Sequence, residues 1–91
     1  MNTEAIVSLI GQCVCEVLPG LEEHRFVRED RLVDLGANSV DRAEIVMLVL
    51  ERLSLAIPRT EVFGPRNVGE LADLLQAKLQ SVRAASTGSN R

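Results

Sequence analysis

Asp34-Leu35-Gly36-Ala37-Asn38-Ser39-Val40-Asp41 is the stretch on which the reading of this chain turns. It is a loop that hands one serine to the start of an apolar-patterned helix. Gly36 and Ala37 are small and leave the backbone approachable, Asn38 is of a type that caps helices, and Ser39 falls in the first turn. Steps of 100° along the chain from Ser39 to about Leu53 set Ile45, Leu48, Val49 and Leu53 on one side, with Val46 at its margin. The opposite side carries Val40, Ala43, Glu44, Met47 and Glu51. A face that mixes carboxylates with apolar groups can attract a basic partner and then bury area against it; it can equally be an ordinary solvated face.

Before this stretch, Ile6, Ile10, Cys13, Val14 and Val17 recur at helical spacing between Thr3, placed to cap, and Pro19-Gly20, which stops the helix. Residues 21–37 are charged and aperiodic, yet Leu21, Phe26, Val27, Leu32 and Leu35 are spaced through them, so the loop is expected to be pinned over a bundle. After it, Pro58 forbids continuation of the second helix, and Thr60 to Phe63 can form one short turn before Gly64-Pro65. Asn67-Val68-Gly69-Glu70 reads as an Asn capping box opening a last helix through Leu71, Leu74, Leu75 and Leu79. Periodicity is lost from Ser81, which predicts a domain over 1–83 and a flexible tail over 84–91. The fold class is therefore all-α, with three longer helices and one short one.

Composition narrows the function. The chain has 91 residues, enough for one small core, and 46% of them are hydrophobic but only two are aromatic, Phe26 and Phe63. A core of Leu, Val, Ile and Ala suits helix packing. The net charge of −3 supplies no basic field, so neither nucleic acid nor an anionic membrane surface is an expected partner. There is no signal-peptide pattern and no apolar run long enough to span a bilayer, which predicts a cytoplasmic protein. Cys13 and Cys15 diverge on a helix, and one histidine cannot complete a zinc site, so both read as small apolar fillers.

Ser39 itself admits three readings. As a hydrolytic nucleophile it needs an oriented base, but the single histidine is His24 in the charged loop, and no GxSxG elbow is present. As a structural residue it is a helix cap. As a site of modification it is well placed, because a phosphate ester there would meet unsatisfied N–H groups and the positive end of the helix dipole.

The run from Asp34 to Asp41 ahead of an apolar helix, in a four-helix chain of this length, closely resembles the attachment site of acyl carrier proteins, and the resemblance extends from about Thr3 to Val82. It implies a four-helix carrier bundle that is not an enzyme. Ser39 would bear 4′-phosphopantetheine, added by a phosphopantetheinyl transferase, with the acyl group held as a thioester at the arm's end. The helix after the serine would be the recognition helix, which transfers partner binding to Val40, Asp41, Arg42, Glu44, Met47 and Glu51. The sequence departs from the usual pattern at Asn38, commonly Asp, and at Val40, commonly Leu or Met; Arg42 and Leu50 make this surface less acidic than that of a general carrier.

Gly36 to Ile45 together with Glu61 to Leu75 further resembles the free-standing donor carriers of polyketide β-branching cassettes. That implies a monomer that takes an acetyl or propionyl group and gives it to an enzyme like 3-hydroxy-3-methylglutaryl-CoA synthase, in polyketide antibiotic biosynthesis. An acyltransferase and a decarboxylating ketosynthase would be its other partners. Acceptor carriers of that pathway have a Trp near the motif, and this chain has none. The alternatives are a general carrier of fatty-acid or polyketide extension and, in another class, a small helical adaptor without cofactor.

Overall fold

Helix α1 (Thr3–Val17), helix α2 (Ser39–Arg52) and helix α3 (Val68–Ser89) are joined by a long loop and by a segment holding one short 3-10 turn, Arg59–Val62. The computed structural model describes residues 2–89, and no strand occurs among them. The all-α expectation is met. α1 packs against both α2 and α3, and the 3-10 turn closes the gap between α2 and α3. The buried set is apolar throughout: Ile6, Ile10, Cys13 and Val14 from α1 meet Ile45 and Val49 from α2 and Val68, Ala72 and Leu75 from α3.

The cap of α1 is Asn2, not Thr3. Its side-chain Oδ1 accepts the Ala5 N–H at 2.8 Å, and Thr3 is already helical. A cap must stand just outside the first turn, and Asn one residue earlier occupies that place.

On α2 the buried residues are Ile45, Val46, Val49 and Leu50, while Leu48 and Leu53 are only partly buried. The core stripe is thus rotated towards Val46 and Leu50 from the one the helical period alone predicts. The turn that ends α2 explains the shift. The Leu55 N–H reaches the Leu50 carbonyl at 2.9 Å and the Ser54 N–H reaches that of Glu51 at 3.1 Å, with Ser54 at φ 52°. These are the two bonds of a Schellman stop, which here drives Leu55 back against the helix. Leu50 and Leu55 are both buried by it. Leu50 is therefore core rather than part of the outer surface. A left-handed non-glycine residue costs roughly 1–2 kcal/mol, whereas burying one Leu side chain yields roughly 1.5–3 kcal/mol, so packing prevails.

The 18–38 loop is pinned at two places. Phe26 lies against α1 at Gly11, where an added Cβ would stand 2.6 Å from the ring. Farther along, the carbonyls of Asp30 and Arg28 accept the N–H groups of Val68 (2.8 Å) and Gly69 (2.9 Å), the first of α3. Arg28 then reaches along the helix to Asp73 with two hydrogen bonds, at 3.1 and 2.6 Å, which hold the Asp73 carboxyl below the usual carboxylate range. Gly69 is required there, since a Cβ would come within 2.7 Å of that of Arg28.

Asn67 caps α3 by accepting the Glu70 N–H at 2.8 Å, but the expected reciprocal bond is not made. The Glu70 carboxylate turns one residue further out, to the Arg66 N–H at 2.9 Å and the Arg66 guanidinium. α3 runs on to Ser89, past the point near Val82 where the apolar repeat gives out; Asn90 and Arg91 of the expected tail lie outside the described residues.

Replacing Ser54 by Gly should relieve the left-handed strain while keeping both closing bonds. The expected outcome in urea denaturation is a gain of about 1 kcal/mol.

Candidate functional site

Residues 31–37 form a tight coil. The N–H groups of Asp34 and Leu35 bond to the Arg31 carbonyl, that of Gly36 to Val33 and that of Ala37 to Leu32 at 3.0 Å. Gly36, at φ +101°, supplies the left-handed turn that brings the chain out of this coil. Ala37 is then buried, which fixes where α2 can begin.

At that point Asn38 and Asp41 form a reciprocal capping box. Asn38 Oδ1 accepts the Asp41 N–H at 2.8 Å, and Asp41 Oδ2 accepts the Asn38 N–H at 3.2 Å. The Arg42 N–H goes to the Asn38 carbonyl. The N–H groups of Ser39 and Val40 have no acceptor among the described residues. Ser39, the first helical residue, is exposed, and its Oγ accepts a hydrogen bond from Arg42 Nη2 at 3.3 Å.

That contact decides the chemistry of the serine. A guanidinium stays protonated and cannot remove a proton from the hydroxyl. His24, the one candidate base, is engaged elsewhere: its Nε2 lies 2.9 Å from Asp30 Oδ2, and its ring stands edge-on to Phe26 at 4.7 Å. Cys13 is buried, and burial pushes its thiol upward in pKa, away from reactivity. Among the described residues no cluster of three or more His, Cys, Asp or Glu could hold a metal ion.

Two stripes diverge from Ser39 along α2. Val40 is 74% exposed, and Glu44, Met47 and Glu51 are exposed below it at successive helical turns. Asp41 is half-buried in its capping role. Glu44 and Glu51 make no ion pair among the described residues, so the stripe keeps an uncompensated acidic character. The other stripe, Ser39, Arg42 and Val46, faces a cleft of about 470 Å³. Arg42, which the resemblance groups with the partner-binding residues, thus lines the cleft and lies apart from Val40, Glu44, Met47 and Glu51. Across the cleft stand Val62, Phe63 and Leu71, with Arg31 and Arg66 at its edge.

Arg31, Phe63 and Arg66 carry no mark of a site in the sequence. They come from aperiodic segments, where spacing carries no signal of what faces what. Ser39, Arg42 and Val46 do share a helical stripe, and that repeat is the one cue to the cleft available from sequence.

Residues 8–75 match the family described as the phosphopantetheine attachment site, PP-binding. The chain belongs to that family. It is an acyl carrier protein, a carrier rather than a catalyst, and its cofactor is covalent 4′-phosphopantetheine. Members of the family are modified by a phosphopantetheinyl transferase. The chain is 56% identical over 81 residues to the polyketide biosynthesis acyl-carrier-protein AcpK of Bacillus subtilis (strain 168), covering 89% of this chain and 99% of the relative. It is 28% identical to the chloroplastic acyl carrier protein 4 of Arabidopsis thaliana, over 89% of this chain and 59% of that one. It also matches a chain in the crystal structure of the curacin biosynthetic pathway HMG synthase in complex with acetyl donor-ACP, at 47% identity and a TM-score of 0.81, covering 85% of this chain and 99% of that one. No helix among the described residues is long and apolar enough to cross a membrane.

The capping box makes a prediction about how the carrier presents its serine. Asn38→Ala should cost about 1 kcal/mol in denaturant unfolding, and Asn38→Asp should cost little, because a carboxylate caps equally well.

Proposed function

We propose that Ser39 carries the 4′-phosphopantetheine of this carrier and that the loaded protein donates acetyl or propionyl to an HMG synthase-like enzyme for β-branching in polyketide biosynthesis. The observation that carries the first part is the position of Ser39 Oγ: exposed, on the first residue of α2, and beside N–H groups left open by the capping box. An ester phosphate fits there, because helix N-termini favour anions and the two open N–H groups lack other acceptors. The bound group supplies a terminal thiol on which an acyl group is held as a thioester. The protein's own residues perform no bond-making on that acyl group: Asn38 and Asp41 set the start of the helix, and Ser39 fixes the point from which the arm swings.

Partner choice would rest on the outer stripe. Val40 and Met47 offer apolar area, and Glu44 and Glu51 offer charge that steers a basic surface into place. The 47% identity to a chain of the HMG synthase complex with acetyl donor-ACP supports this partner over the enzymes of fatty-acid elongation. In the same reading, an acyltransferase and a decarboxylating ketosynthase load the acyl group, and the carrier acts as a monomer.

Ser39→Ala should fold with wild-type helix content and gain no mass when incubated with a phosphopantetheinyl transferase and coenzyme A; a variant that still gained the pantetheine mass would place the attachment elsewhere. Glu44→Arg with Glu51→Arg should slow acetyl transfer to the synthase at least tenfold at low salt, with the difference shrinking as salt is raised. An unchanged low-salt rate would remove the electrostatic part of the recognition.

A further inference from the structure

We propose that Arg42 holds the root of the arm, its guanidinium pairing with the phosphodiester on Ser39 and directing the arm along the cleft beside α2. This rests on Ser39 being the attachment residue. Arg42 Nη2 already touches Ser39 Oγ at 3.3 Å. Once that oxygen becomes an ester oxygen, the anionic oxygens of the phosphate stand two bonds further out, beyond the phosphorus, within reach of the same fork. The contact between a cation and a neutral hydroxyl then becomes a pairing of opposite charges, and a guanidinium can engage two phosphate oxygens together.

The walls of the cleft point to the same anion. Three arginines line it, Arg31, Arg42 and Arg66, and no Asp or Glu does, although the chain as a whole carries a net charge of −3. Arg66 has a carboxylate partner, Glu70, outside the cleft. Arg31 and Arg42 form no ion pair among the described residues. Two arginines without an ion pair thus line one cleft of an acidic protein, a lining that favours a negative charge. The phosphodiester at Ser39 is the anion that attachment brings there.

The direction imposed on the arm comes from the helical stripe. Ser39, Arg42 and Val46 descend one side of α2 into the cleft, whose apolar wall includes Val62 and Leu71. Val40, Glu44, Met47 and Glu51 stand on the other stripe. A phosphodiester held by Arg42 keeps the first part of the arm off the outer face, so that face remains open for a protein partner. The partner that uses the arm must then offer the phosphodiester a competing cation or draw Arg42 away.

The test compares apo and holo protein by nuclear magnetic resonance, with intact mass recorded on each sample. In the wild type, the Arg42 Nε–H signal should shift on conversion to the holo form and exchange more slowly with solvent. The arm's methyl protons should give cross-relaxation to Val62. Arg42→Gln should still gain the full pantetheine mass but lose the cross-relaxation, and Arg42→Lys should retain part of it. Unchanged Arg42 signals in the wild-type holo protein, or cross-relaxation that survives in Arg42→Gln, would overturn the assignment while leaving attachment at Ser39 intact. Failure of the wild type to gain mass would instead overturn the attachment itself, and this proposal with it.

Discussion

The first N–H groups of a helix have no partner within it, and the layout of this carrier depends on where those groups find acceptors. The loop after α1 answers the need twice. Midway, its Arg28 and Asp30 carbonyls close the start of α3. At its end, Asn38 closes the start of α2 through the exchange with Asp41. The same loop therefore ties α3 to α2, and the serine at its end is fixed in place by bonds made on either side. Ser39 can be exposed and still be well positioned, because nothing in its own side chain is needed to hold the helix start.

This division of labour gives α2 two uses. One stripe presents apolar and acidic groups outward, and the other leads from Ser39 past Arg42 into the cleft. A carrier has to show the same cofactor to several enzymes while being recognised by each. With the arm anchored at Ser39 and partners met by the outer stripe, as proposed, the two would lie on different sides of one helix, and recognition could vary without moving the anchor. That no base stands beside Ser39 among the described residues belongs to the same arrangement: Arg42 occupies the hydroxyl and His24 is committed to Asp30.

Much of this is legible in the sequence because it is local. The three helices, the short turn before Gly64-Pro65 and the serine at a helix start are all set by period, caps and breakers. The features that escape depend on non-local or neighbouring backbone. Leu50 reads as surface by resemblance to other carriers, and is core because Ser54 adopts a left-handed conformation that folds Leu55 onto it. Glu70 has the spacing of a capping-box partner, but its carboxylate finds the Arg66 N–H and guanidinium together, a better pair of donors than the one its spacing suggests. Thr3 loses the cap to Asn2 because two capping residues stand side by side and only geometry chooses. The far wall of the cleft is invisible in the sequence for a deeper reason: it comes from residues 62–71, and no periodic signal links them to Ser39.

The central claim is that one hydroxyl in a fixed place carries all of the carrier's chemistry. Cleavage after arginine releases residues 32–42 as a single peptide, in which Ser39 is the one hydroxyl-bearing side chain. Tandem mass spectrometry of the digested holo protein should find the pantetheine on that peptide and on no other. A pantetheine found on a peptide bearing any other serine or threonine would contradict the account.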